Sequence, residues 1–289
     1  MLEDSEIEPK PFLIFNDRNF KINGDYYLPI LDNEKLKSSA VFILHGFKGY
    51  KDWGFFPHIS ETLSKNGFIS IPFNFSLNGR VNDKNQLNID EFASNTISQE
   101  INDLKSTIES FINGNIIPNN HLEEIWNGDI YLLGHSLGAA VALLSFKDVK
   151  LIKKIVLLAP ISRVDRYTDR QKELWKNNGK LEFFDTKLNL ELKLNYSFLE
   201  DIEKNKFILK DILETLPLPT LLIHGKQDLT ANIKEALNII DWASNSKNLS
   251  QYLIDNTGHT FGVENPFTGS TKALDNVIDE SLKFFKNEL

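Results

Sequence analysis

Four apolar runs of strand length constrain this chain more than any other feature: AVFIL at 40–44, IYLL at 130–133, IVLL at 155–158 and TLLI at 220–223. None alternates with polar residues, so none can leave one face in water. Such runs suit strands buried on both faces, as in a parallel sheet covered by helices. Further strands are expected at 12–15, 22–28, 68–73 and 249–254. Helical spacing lies between them, at 59–65, 136–145, 233–243 and 271–287. Residues 90–113 read as one long amphipathic helix, with Phe92, Ile97, Ile101, Leu104, Ile108 and Phe111 on one stripe and Gly114 at its end. The alternation predicts an α/β fold, a mostly parallel sheet with helices on both faces.

One segment breaks the rhythm. Residues 162–216 separate two core strands by roughly 55 residues, too many for a simple crossover. The reading is a core of 1–161 and 217–289 with 162–216 inserted as a cap over the carboxyl edge of the sheet. The aromatics of the insertion include Trp175, Phe183, Phe184, Tyr196, Phe198 and Phe207. Each suits the insertion's own small core better than a ligand wall. Trp53, Phe55 and Phe56 can either wall a pocket or seat the next helix.

Composition excludes several classes. The formal net charge is −8, and no cluster of Lys and Arg stands out, so nucleic-acid binding is not expected. There is no cysteine, hence no disulfide and no thiol nucleophile. The acidic start is no secretion signal, and no apolar run has membrane length. A soluble, cytoplasmic protein is expected, with no membrane partner and with room for a homodimer.

The chemistry begins at Gly134-His135-Ser136-Leu137-Gly138. This G-x-S-x-G directly follows a buried strand and opens a helix, where a strained turn lifts a serine hydroxyl out of a sheet. A serine is a weak nucleophile and needs a base. His259 follows the last strand and can return over Ser136. The base needs a carboxylate to fix its tautomer. Asp228, after the strand at 220–223, is favoured over Asp255, the neighbour of His259 in sequence, because its loop faces the same edge. Asp228 could instead be a turn residue capping the next helix, with Thr230 the competing cap. For the oxyanion hole, the Leu137 amide and the Phe47 amide, in Leu44-His45-Gly46-Phe47-Lys48-Gly49, are the candidate donors. His45 reads as an organiser of that loop, and His135 and His224 as strand-end residues. His58 and His121 read as surface residues. No metal-ligand spacing is present, and the chemistry requires neither metal nor cofactor.

At these residues the sequence resembles the α/β-hydrolase superfamily, from His45-Gly46-Phe47 through the serine motif and Asp228 to His259. Residues 47–56 with 73–79 are similar to small esterases of the dienelactone-hydrolase and acyl-peptidase-like groups. The insertion, including residues 194–201, is similar to the cap of bacterial cinnamoyl (feruloyl) esterases. Dienelactone hydrolases proper use a cysteine, which this chain lacks. The resemblance implies a serine carboxylesterase acting on a small-molecule ester, hydroxycinnamoyl esters among the candidates. A peptidase or acyltransferase could use the same triad, and a non-catalytic receptor could share the fold.

Overall fold

The computed structural model describes residues 7–31, 36–81, 86–146, 149–186, 188–206 and 208–288. Residues 1–6 and Phe207 lie outside them. In chain order the first elements are β1 (Lys10–Phe15), β2 (Lys21–Tyr26), β3 (Ser38–Leu44), α1 (Phe56–Lys65), β4 (Ile69–Phe73), β5 (Arg80–Val81), β6 (Gln86–Leu87), α2 (Ile89–Ala93) and α3 (Ile97–Ile112). Next come α4 (Asn119–Ile125), β7 (Trp126–His135), α5 (Leu137–Ser145) and β8 (Ile152–Leu158). The segment expected as an insertion holds α6 (Asp169–Asn178), β9 (Lys180–Asp185), β10 (Leu190–Asn195), α7 (Tyr196–Asn205) and α8 (Ile208–Thr215). The chain closes with β11 (Thr220–Gly225), α9 (Ile233–Trp242), β12 (Leu249–Ile254) and α10 (Lys272–Phe285).

The apolar runs lie in one eight-stranded sheet, ordered β1-β2-β4-β3-β7-β8-β11-β12. β1 and β2 pair antiparallel, and β2 meets β4 antiparallel. From β4 to β12 all pairs are parallel. Every residue of β3 is buried, as an unalternating run requires. Ala40, Phe42 and Leu44 join one core with residues of α3, α5, α8 and α9. Val41 and Ile43 join the opposite core with residues of α1 and α10. The period of two along a strand thus sorts one run into two layers. β3 lies between β4 and β7, so the chain reverses its direction of travel across the sheet there. The carboxyl ends of β3 and β7 flank that reversal, the place where open α/β sheets form a crevice.

The single helix expected over 90–113 is two helices. Ser94 hydrogen-bonds back to the Asp90 carbonyl at 2.8 Å, and the Thr96 hydroxyl accepts from the Gln99 N–H at 3.1 Å. Thr96 is therefore the N-cap of a new helix, and local side-chain bonds outcompete continuation of the first.

Candidate active site

β7 ends at His135, and Ser136 turns the chain into α5 with φ 56° and ψ −117°. A residue with a side chain is strained there, and the surroundings must hold it. The Ser136 N–H donates to the Leu158 carbonyl at 2.9 Å. The two motif glycines are required by contact. A Cβ on Gly134 would lie 2.4 Å from the Gly138 carbonyl oxygen, and one on Gly138 would lie 2.5 Å from those of Leu44 and His45. Strand, turn and helix therefore close onto the loop that follows β3. Neither the Phe47 nor the Leu137 N–H donates to a protein acceptor among the described residues. Leu137 is the first residue of α5, where N–H groups have no intrahelical partner and the helix dipole favours negative charge.

His259 Nδ1 lies 2.7 Å from Asp228 Oδ2. The Asp228 side chain is fully buried, and the other oxygen accepts from the Thr230 and Ala231 N–H groups at 2.7 and 2.8 Å. Burial pushes this carboxyl up, but the His259 hydrogen bond and charge and the two amides outweigh it, leaving it below the usual range. An ionised Asp228 can only accept, so Nδ1 carries the proton and the neutral ring presents the Nε2 lone pair. Asp255 instead pairs with Lys226 at 2.9 Å, with 69% of its side chain exposed. Asp228 also makes the expected turn, but the cap of α9 is Asn232, not Thr230, accepting from the Lys234 N–H at 3.1 Å. The Ser136 hydroxyl and His259 Nε2 have no hydrogen-bond partner among the described residues.

Three buried histidines brace this arrangement. His45 Nδ1–H donates to the Gly46 carbonyl at 3.0 Å while Nε2 accepts from the Phe75 N–H at 3.2 Å, and burial pushes its pKa down to about 4. It fixes the loop carrying Phe47. His135 Nε2–H donates to the His259 carbonyl at 2.9 Å. Burial and the nearby His259 push His135 down to about 3. The second residue of the serine motif thus holds the loop that carries His259, a role with no signal in the sequence beyond its position. His224 Nε2–H donates to the Ala231 carbonyl at 2.8 Å and closes the Asp228 turn. Phe55 packs on both His135 and Phe261, so it supports the site from beneath.

Within the segment 162–216, Trp175 is fully buried, donates to the Leu194 carbonyl at 2.9 Å and stacks on Phe198. Phe184 is 56% exposed. Phe183 and Phe198 also approach the Phe47 ring, each with centroids 6.4 Å apart. Among the described residues no group of three or more His, Asp or Glu could hold a metal ion, and no helix is long and apolar enough to cross a membrane.

No protein-family model matches the chain, and no curated protein matches it. Solved structures do. The chain is similar to Est1E from Butyrivibrio proteoclasticus with ferulic acid bound, at TM-score 0.69 and 19% identity, covering 96% of this chain and 98% of that one. It is similar to the esterase domain of a Rhodothermus marinus protein, at TM-score 0.64 and 17% identity, covering 97% and 99%. It is similar to the α/β hydrolase GrgF from Penicillium sp. sh18, at TM-score 0.71 and 12% identity, covering 97% and 99%. Identities this low carry architecture rather than chemistry, and the architecture is unambiguous: this chain has the α/β-hydrolase fold.

Proposed function

We propose that this protein is a serine carboxylesterase with Ser136 as nucleophile, His259 as general base and Asp228 as the acid that orients it. The observation that carries the reading is the 2.7 Å Asp228–His259 hydrogen bond, which leaves Nε2 as the basic nitrogen at the rim that also holds the elbow serine. Hydrogen bonds between base and nucleophile commonly tighten only once substrate is bound. In the cycle, His259 takes the Ser136 proton as the hydroxyl attacks the ester carbonyl. The carbonyl oxygen becomes an oxyanion facing the Phe47 and Leu137 amides. His259 returns the proton to the departing alcohol, and water then repeats the steps on the acyl-enzyme to release the acid.

Residues 162–216 serve as the cap in this reading. The Phe47 ring, next to the oxyanion amide, is only partly buried and meets Phe92 at 5.4 Å as well as Phe183 and Phe198. An aromatic surface there favours a flat aryl group, and Est1E has been solved with ferulic acid. Hydroxycinnamoyl esters are therefore the first substrates to try. A cytoplasmic setting fits a chain without cysteine.

Purified protein is expected to hydrolyse p-nitrophenyl butyrate and ethyl ferulate. Ser136→Ala should lower kcat by at least about 1,000-fold without shifting thermal unfolding downward. Wild-type turnover in a folded Ser136→Ala variant would remove the serine from the mechanism. Amide substrates and added alcohol acceptors distinguish an esterase from a peptidase or an acyltransferase.

A further inference from the structure

The loop after β3 is clamped from the insertion side. Gly49 N–H donates to the Gly46 carbonyl at 2.9 Å, closing a tight turn around Phe47 and Lys48. Lys48 has a φ of 62°, which is unfavourable for a residue bearing a side chain. There is no slack beneath it: a Cβ on Gly46 would lie 2.9 Å from Ser136 Cβ, and one on Gly49 would lie 2.8 Å from the Gly46 carbonyl oxygen. From above, the Lys48 ammonium pairs with Asp185 Oδ2 at the end of β9. The Asp185 side chain is only 4% exposed, and its other oxygen accepts from the Leu188 N–H at 2.9 Å. Other polar ties of the insertion among the described residues reach α2 and α3. Lys193 pairs with Asp90 of α2 at 2.6 Å, and Asp201 accepts from the Ser98 N–H of α3 at 2.9 Å.

We propose that Lys48 and Asp185 are positioning residues for the oxyanion hole. Their ion pair fixes the strained turn so that the adjacent Phe47 N–H points at the place where negative charge develops. The inference rests on the oxyanion role given to Phe47 above. The ground-state ester, whose carbonyl is less charged, gains little from that donor, so the pair should matter for turnover more than for binding. A buried carboxylate holds its cation tightly, because Asp185 has little water to replace it.

The full chain is assayed as wild type, Lys48→Met, Asp185→Asn, Lys48→Arg and the double variant Lys48→Met/Asp185→Asn. Kinetics with p-nitrophenyl butyrate are read beside inhibition by a trifluoromethyl ketone, which adds the serine oxygen to form a tetrahedral adduct. Lys48→Met and Asp185→Asn should each lower kcat by about 10- to 100-fold, with KM within about twofold. Ketone affinity should fall in step with kcat. The double variant should lose little more than either single one, and Lys48→Arg should stay within about threefold of wild type. Folded Lys48→Met with wild-type kcat and ketone affinity would overturn the proposal, even if Asp185→Asn fails to fold. So would losses that multiply in the double variant, or a loss in KM alone. Those results with a Ser136-dependent wild type overturn this proposal only, whereas a wild type that hydrolyses no ester overturns the esterase reading with it.

Discussion

At the scale of the residue, the decisive group is a carboxylate whose two oxygens do different work. Asp228 Oδ1 shapes its own turn through the Thr230 and Ala231 amides, and Oδ2 holds the imidazole. An amide at this position could keep the turn but would present an N–H or a neutral oxygen to Nδ1, spoiling tautomer and charge together. Asp228→Asn should therefore lower kcat by about 10,000-fold. Asp255→Asn, which loses an exposed pair with Lys226, should stay within about threefold. Steady-state kinetics on the two purified variants check the ranking, and the opposite order would hand the acid role to Asp255. The common placement of Ser136, Asp228 and His259 was legible because each follows a recognisable strand, and the ends of parallel strands share one edge. The bond from His135 to the His259 carbonyl was not legible, since it depends on two loops meeting and no spacing in the chain reports that.

At the scale of the element, the break between α2 and α3 shows where periodicity misleads. The apolar stripe from Ile97 to Phe111 steps by three and four, but the step from Phe92 to Ile97 is five, across Ser94-Asn95-Thr96. That misstep, with a capping threonine inside it, was the available signal. Thr96→Ala should cost about 1 kcal/mol of stability, read as a lower urea midpoint with an unchanged slope. An unchanged midpoint would mean that tertiary packing alone sets the start of α3. The central strands were readable because burial on both faces makes the middle of each a continuous apolar run. The bounds of β9 and β10 were not read, although Leu190-Glu191-Leu192-Lys193-Leu194 alternates as a half-buried strand does, and their pairing with each other sets those bounds.

At the scale of the molecule, one buried acid couples the fold to pH. Glu100 is 3% exposed and accepts from Asn95 Nδ2 at 2.8 Å. Burial, with the nearby Asp103 and Asp201 charges added, pushes its pKa up to about 8. The unfolded chain releases this proton near pH 4.3, at about the ordinary value for glutamate, so the native state binds the extra proton between the two values. Its stabilising contribution is complete below the lower value and is lost progressively as pH rises through about 8. Urea midpoints taken from about pH 5 to 9 should fall less steeply in Glu100→Gln than in wild type, and matching slopes would contradict this. The elbow has a different whole-molecule consequence. Gly138 is pressed against the Leu44 and His45 carbonyls, so the turn that raises Ser136 is held by strands formed from distant parts of the chain. If Ser136 acts as proposed, a nascent or partly refolded chain carries the serine but lacks the geometry that makes it reactive. Catalytic competence would then double as a gauge of completed assembly, switching on only when the middle of the sheet has zipped shut.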